Sequence, residues 1–272
     1  MINLSCSIVT YNNDPEVLKK TINSFFTAGI PSRQLYIIDN STRNNIYDHI
    51  QQYNGSIKYI RNKKNIGFGK AHNIAIQDIF HHNGGARYHL ILNPDVWFNG
   101  KTLLNMIDYM DKHHSIGMMS PKVLYPDGSF QYVHRRLPAP RDSLVRMFHK
   151  ILPQKFVNKI NTRYEMQNMN ENNIQQIPHL SGCFMLVRGE ALQKIGAFDK
   201  RFFLYFEDID FSRRIRQSYQ TIYYPKEKIY HIYARQSYNN FRVKIRHIIS
   251  AIRYFTKWGW FFDRERKKLN NS

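Results

Sequence analysis

Three carboxylates crowd into four residues of this chain. Glu207, Asp208 and Asp210 follow directly on the aromatic run FFLYF (202–206). A helix macrodipole favours acids in a first turn, but it does not explain why they follow an apolar run. A carboxylate presented in this way can take the proton of a hydroxyl as that oxygen attacks carbon. A fourth acid, Asp95, stands where LILNPDVWF (90–98) runs out of an apolar strand through Asn93 and Pro94. There a strand end delivers side chains into a cleft, and an aspartate can hold magnesium or manganese against a diphosphate. Asn-Pro-Asp is also an ordinary turn. His231, in KIYHIY, follows a strand-like stretch between tyrosines. A lone histidine in that setting is usually structural; a cleft containing Asp95 gives it a use, as a second ligand for the same cation.

Two further segments fit a nucleotide. Asp39-Asn40-Ser41 ends an apolar run, where an α/β sheet reads a base or ribose, and a carboxylate can accept the N3 hydrogen of uracil or thymine. The alternative is an Asx-turn leaving the strand. Asn65-Ile66-Gly67-Phe68-Gly69-Lys70 is a glycine-rich entry to a helix, suited to backbone approach near phosphate. It is not a Walker loop, and Gly-x-Gly alone has little specificity.

The elements that must position these residues read as strand–helix units. LSCSIVTY (4–11), QLYIIDN (34–40), SIKYIRN (56–62) and YHLILNPDV (88–96) have the apolar, β-branched character of buried strands. Asp14-Pro15-Glu16 supplies a cap, a first-turn proline and an acid for a helix carrying Leu18, Ile22, Phe25 and Phe26, closed by Gly29 and Pro31. A second helix is expected over about 70–80. This alternation predicts a mainly parallel sheet covered by helices, with ligands at the carboxyl ends of its strands. Beyond Pro121 the pattern changes. The stretch 161–176 is almost wholly polar and reads as a mobile surface loop. Strand character returns at 183–188 and 221–225, and a helix is expected from Glu207.

At 272 residues the chain suits one α/β domain with a short appendage. Its 42% apolar and 14% aromatic content excludes a disordered protein. No apolar run approaches the length of a membrane span. The start, MINLSCSIVTYNND, lacks a basic leader and reads as the first core strand. Cys6 and Cys183 lie in apolar runs and read as buried thiols of a reducing compartment, and no Cys/His spacing resembles a zinc site. The formal net charge of +20 attracts polyanions without choosing among nucleic acid, anionic lipid and phosphorylated substrates. No nucleic-acid-binding motif accompanies it, so nucleic acid is not expected as a partner. In the last thirty residues Ile245, Ile248, Ile249 and Ile252 share one helical face. Trp258, Trp260, Phe261 and Phe262 then precede Arg264, Arg266, Lys267 and Lys268. A basic amphipathic helix of this kind suits a membrane interface, or else packs on the core with a solvated basic face.

Together and in this order, SIVTYNN (7–13), IIDNS (37–41), NIGFGKAHN (65–73), LNPD (92–95), DGSFQ (127–131), SGCFMLVR (181–188), GAFDKRFFLYFEDIDFSRR (196–214) and YHIYARQS (230–237) resemble the family 2 glycosyltransferases, in particular their bacterial rhamnosyltransferase-like branch. The resemblance implies a GT-A fold, a Rossmann-like nucleotide-diphospho-sugar transferase. It implies a catalytic domain over 1–240, with donor binding in 1–120 and acceptor binding in 121–240, and a C-terminal extension over 241–272. It makes Thr10, Tyr11, Asn12 and Asp39 nucleoside contacts and sets Asn65, Gly67, Phe68, Gly69, Asn73 and Asn93 beside the donor. Asp95 becomes the metal-binding aspartate. The family's Asp-x-Asp stands here as Asn93-Pro94-Asp95, so one carboxylate is missing and His231 is the expected second ligand. Asp208 matches the general base, with Glu207 beside it. Gly182 and Asp210 fall on the acceptor side, where Asp210 bonds acceptor or neighbouring basic groups. The branch implies inverting transfer from dTDP-rhamnose, or from a UDP-linked galactofuranose, galactose or N-acetylglucosamine, to a lipid-linked oligosaccharide. Such work is done at the cytoplasmic face of a bacterial plasma membrane, in surface polysaccharide synthesis. The missing carboxylate also admits a non-catalytic binding subunit.

Overall fold

Alternating apolar strands and amphipathic helices fold into one mixed sheet with helices on both faces. The computed structural model describes residues 2–42, 46–53, 55–82, 84–232 and 241–271, without the side chains of residues 82, 241 and 242. Its strands are β1 (Ile2–Thr10), β2 (Arg33–Asp39), β3 (Ile57–Arg61), β4 (Ala86–Leu92), β5 (Val96–Phe98), β6 (Ile116–Leu124), β7 (Gln175–Gln176), β8 (Phe184–Arg188) and β9 (Gln220–His231). The spatial order is β3-β2-β1-β4-β8-β6-β9-β5, with β7 on β9. The four amino-terminal strands are mutually parallel, as their crossover helices require. β8 runs antiparallel between β4 and β6, and β5 runs antiparallel to β9. Because β2 and β4 flank β1 on opposite sides, the chain reverses direction there, which opens a crevice beyond the carboxyl ends of β1 and β4.

The helices are α1 (Pro15–Phe26), α2 (Tyr47–Ile50), α3 (Phe68–Gln77), α4 (Lys101–Lys112), α5 (Pro140–Met147), α6 (Gln154–Tyr164), α7 (Gly189–Ile195), α8 (Glu207–Ile215), α9 (Phe241–Trp258) and α10 (Arg264–Asn270). Side chains alternate across the sheet. Leu90 and Leu92 join the core under α1 and α4, while Ile91, Met185 and Val187 join the core under α7 and α8. Asp14 caps α1 by accepting from the Glu16 and Val17 amides.

The polar stretch 161–176 is not a loop throughout. Its first four residues complete α6, because Val157, Ile160 and Tyr164 already form a buried helical stripe that carries the polar residues with it.

The C-terminal residues are built into the domain. Ala251, Tyr254 and Phe255 of α9 and Leu269 of α10 pack against Phe202, Phe206 and Ile209. Fully buried Arg213 donates to both oxygens of Asp263, at 2.6 and 2.7 Å, and to Glu265 at 2.9 Å. The isoleucine stripe points the other way: Ile245, Ile249 and Ile252 are exposed, as are Phe261 and Phe262. Thus α9 does both things its sequence allows, one face packed on the core and one apolar face left open. Among the described residues no helix is long and apolar enough to cross a membrane.

Candidate active site

The sheet brings Asp95 and His231 together. β4 ends at Leu92, and the turn through Pro94 and Asp95 leads into β5, whose first residue Val96 pairs with His231 at the end of β9. Asp95 Oδ1 lies 3.5 Å from His231 Nε2, and Asn93 Nδ2 lies 3.5 Å from the same nitrogen. Buried Gln131 decides how the ring is used. Its Nε2 can only donate to the His231 carbonyl, at 2.7 Å, so its Oε1 faces His231 Nδ1 at 3.1 Å and accepts the proton there. The Nε2 lone pair is thereby turned toward the Asp95 carboxylate. Two electron-pair donors facing each other are relieved by a shared cation, and an imidazole with its far N–H held by an oxygen is the usual arrangement of a metal-ligating histidine. Asp95 and His231, with Gln131 behind the ring, therefore fit a divalent ion. Among the described residues no third His, Cys, Asp or Glu joins this pair.

The acid cluster sits across one turn of chain from this corner. Asn93 N donates to the Cys183 carbonyl at 2.9 Å, and Gly182 N donates to Asp208 Oδ2 at 3.2 Å, so 181–183 bridges the two corners. Burial first, and then the charges of Asp95 and Asp208, together push the Cys183 thiol up to about 12, as expected of a thiol between two acids. Glu207 and Asp208 open α8 after Tyr205 and Phe206, both in the left-handed region at φ 67° and 66°. Such residues cost of order 1–3 kcal/mol each and persist only where packing holds them. The Phe206 ring is held against Tyr254 and Phe255 of α9, at 5.4 and 6.1 Å between centroids.

The three acids have different fates. Asp208 has a side chain 22% exposed, with His179 Nε2 at 3.0 Å from Oδ2. Burial raises its carboxyl, but His179 and the amides of Gly182 and Ile209 more than offset this and hold it below the usual carboxylate range. Glu207 is buried, and burial followed by the Asp208 charge pushes its carboxyl up, to about 8. The two adjacent carboxyls are thus pushed in opposite directions, Asp208 toward the ionised form and Glu207 toward the protonated one. Asp210 is fully buried and accepts from Arg214, Lys257 and the Trp258 indole. Of the two uses expected for it, bonding to neighbouring basic groups is the one its two oxygens show.

The nucleotide-side residues also divide. Tyr11 and Asn12 are exposed at the mouth of the crevice, and Asn12 ties β1 to the turn after β2 by accepting from the Thr42 amide and donating to Ser41. Thr10 and Asp39 are fully buried beneath them. Asp39 accepts from Thr10 Oγ1 at 2.9 Å, Ser41 N at 2.8 Å and Tyr59 Oη at 2.6 Å. Burial raises its carboxyl, and those bonds pull it back below the ordinary value. Asp39 thus forms the Asx-turn and organises the crevice floor rather than offering a surface contact. The glycine-rich entry is spent on packing. Phe68 N donates to the Phe203 carbonyl, Gly67 N donates to Asn65 Oδ1, and a Cβ on Gly67 would lie 2.3 Å from Phe203 O. A Cβ on Gly69 would lie 2.9 Å from that of Phe198. Asn73 is buried with both amide ends on the Phe198 backbone, so it is a brace and not a donor contact. Sequence reasoning missed His179 and gave Gln131 no role, although HLSG and DGSFQ adjoin or carry them. The segment YHIYARQS passes beyond the described residues at 233.

The sequence model of glycosyl transferase family 2 matches residues 5–196. The N-acetylglucosaminyl-diphospho-decaprenol L-rhamnosyltransferase of Mycobacterium tuberculosis is 26% identical over 232 residues, covering 82% of this chain and 74% of that protein. Rhamnosyltransferase WbbL of Escherichia coli is 27% identical over 198 residues, 70% of each. Among solved structures, GalNAc-T7 with UDP, GalNAc and Mn2+ superposes with a TM-score of 0.62 at 17% identity, over 85% of this chain and 43% of that one. Staphylococcus aureus TarS superposes with a TM-score of 0.60 at 16% identity, over 98% and 42%. The chain spans less than half the length of those two solved chains, and the likeness is one of fold, the GT-A fold.

Proposed function

Because this chain belongs to glycosyl transferase family 2, we propose that it moves a sugar from a nucleotide-diphosphate donor to a hydroxyl of a lipid-linked saccharide, with inversion at the anomeric carbon. One observation carries the reading. Asp208 is the acid of its cluster that is both ionised and open, and it stands across 181–183 from the Asp95–His231 pair. The acceptor oxygen bonds to the anomeric carbon as the bond from that carbon to the diphosphate breaks. The nucleoside diphosphate leaves with the electron pair, and the acceptor proton passes to Asp208. His179 and the Gly182 amide fix that carboxylate, so Asp208 works through its position more than through high basicity. A magnesium or manganese ion held by Asp95 and His231 would supply charge neutralisation for the departing diphosphate.

Residues 1–120 serve the donor in this reading and 121–240 the acceptor. Tyr11 and Asn12 meet the nucleoside, and Asn93 meets the diphosphate end. The donor we favour is dTDP-rhamnose, because two similar proteins carry rhamnosyltransferase names, and the setting is bacterial surface polysaccharide such as O-antigen or capsule. UDP-hexoses are the competing donors, in keeping with the 23% identical hexosyltransferase Agl10 of Haloferax volcanii. The exposed Ile249 and Ile252, with Phe261, Phe262 and neighbouring Arg246, Arg253, Lys267 and Lys268, would rest on the anionic cytoplasmic leaflet as a peripheral contact. The test is a panel of nucleotide sugars, read by thermal shift and donor hydrolysis with and without divalent metal. One donor that stabilises the fold and is hydrolysed only with metal supports the reading. No binding or turnover of any of them rejects it.

A further inference from the structure

Two openings that share a wall lie behind the acid cluster. One is a cavity of about 100 Å³ bordered by Glu207, Asp208, Arg135, Arg146, Tyr164 and His247. The other is a groove of about 340 Å³ between the 146–151 turn and the first turns of α9, lined by Met147, Phe148, Ile151, Val243, Ile245 and Ile248. Arg146 and His247 border both, so groove and cavity meet at those two side chains. Lys150 and Lys244 also line the groove and are exposed to solvent.

The order of chemistry along this path is specific. It runs from an apolar trough, past a cationic neck, to the carboxylate that takes the acceptor proton. Arg135 and Arg146 both pack on the Tyr164 ring, at 5.7 and 5.2 Å, and both line the cavity. Glu165 balances part of that charge, at 2.9 Å from Arg146. The His247 imidazole is pushed down to about 4 by burial, then by the Arg146 and Arg135 charges, which is the field an anion would meet there. An apolar chain joined through a diphosphate to a sugar matches the three regions in sequence. A bulk bilayer matches the first alone, and nucleic acid has nothing to place in the trough.

We infer that the groove between the 146–151 turn and α9 holds the isoprenoid chain of the acceptor, with its diphosphate at the Arg135–Arg146 neck and its sugar in the Glu207–Asp208 cavity. This assignment rests on the transferase reading above and names its acceptor class. It also gives α5 a purpose: α5 and the turn after it form one bank of the trough, and α9 forms the other.

The test uses the full chain and farnesyl diphosphate as probe, in titration calorimetry beside farnesol, inorganic pyrophosphate and phosphatidylglycerol vesicles. Wild-type protein should bind farnesyl diphosphate at least about 10-fold more tightly than either fragment. Met147→Asn with Ile151→Asn should lose about 10-fold of that affinity, and Arg146→Gln a similar factor. Met147 and Ile151 are exposed, so these changes leave the core intact, and Leu104→Gln on α4 is the control that binds as wild type. Equal affinity for pyrophosphate, or undiminished binding by the groove variant, overturns the assignment. Loss of vesicle binding with farnesyl diphosphate binding retained also overturns it and makes the groove a membrane face. Nucleotide-sugar hydrolysis is read in the same preparation. Hydrolysis without farnesyl diphosphate binding rejects the groove alone, whereas binding without use of any donor rejects the transferase reading and the acceptor assignment with it.

Discussion

Gln131 offers direct access to the cation corner, because it touches the ligand pair without itself being a ligand. It is 1% exposed and makes two bonds to His231, from Nε2 to the carbonyl at 2.7 Å and from Nδ1 to Oε1 at 3.1 Å. Gln131→Leu keeps the approximate volume and removes both. Each lost bond is worth about 1 kcal/mol, one fixing the ring and its tautomer and the other the backbone that carries it, so the corner loses about 2 kcal/mol of support. That matches the 10–100-fold loss of metal affinity, about 1.4–2.8 kcal/mol, typical when a ligating histidine loses its outer partner. Gln131→Glu keeps the acceptor for Nδ1–H and gives up the bond to the carbonyl, so its loss should stay below about 10-fold. The assay is donor hydrolysis against manganese concentration. Half-saturation should rise about 10–100-fold in Gln131→Leu, with the plateau largely recovered at high metal. Unchanged half-saturation in a folded variant would refute the reasoning, and so would a lowered plateau at unchanged half-saturation.

Other consequences follow from the same geometry. Asp95→Ala and His231→Ala should each weaken metal dependence and donor binding together, and full activity of wild type in excess chelator would contradict both. Asp263→Ala leaves the buried Arg213 guanidinium with Glu265 as its one carboxylate and should cost about 3 kcal/mol in urea unfolding, whereas a loss below about 1 kcal/mol would mean the pair is not closed in solution. Glu207 binds its proton more tightly folded than unfolded, so its contribution is complete below the ordinary carboxyl range and is lost as pH rises toward about 8. Glu207→Gln should therefore gain stability relative to wild type between pH 5 and pH 9, and a pH-independent difference would reject the neutral assignment.

The strands and their order of use were readable because each buried run is apolar and β-branched and each crossover helix is amphipathic. Asp95 and Asp208 were readable because both sit at abrupt changes from apolar run to acid. Their supports were not. His179 and Gln131 reach the site from segments whose local pattern is an unremarked turn, and only β6–β9 and β4–β8 pairing brings them in. Asn73, Thr10 and Asp39 have the right types for ligand contact, yet tertiary packing buries them and satisfies their bonds internally. The isoleucine stripe of α9 was visible as a stripe, but its direction depended on Ala251, Tyr254 and Phe255 winning the core face. The same packing bears on dissection of the tail: removing residues from 241 onward would strand Arg213 and release Phe206, so single exposed substitutions such as Ile249→Glu separate membrane contact from folding better than truncation.

The measurement that bears most directly on the account is single-turnover transfer by Asp208→Asn, with donor affinity measured alongside. Asparagine keeps the size of the side chain and its contact with the Gly182 amide region, but it cannot accept the acceptor proton. Transfer should fall by about 100-fold or more while donor affinity stays within a few-fold, since the proposed cation pair Asp95 and His231 is untouched. Transfer at near wild-type rate by a correctly folded Asp208→Asn would contradict the assignment of the base, and with it the placement of the acceptor.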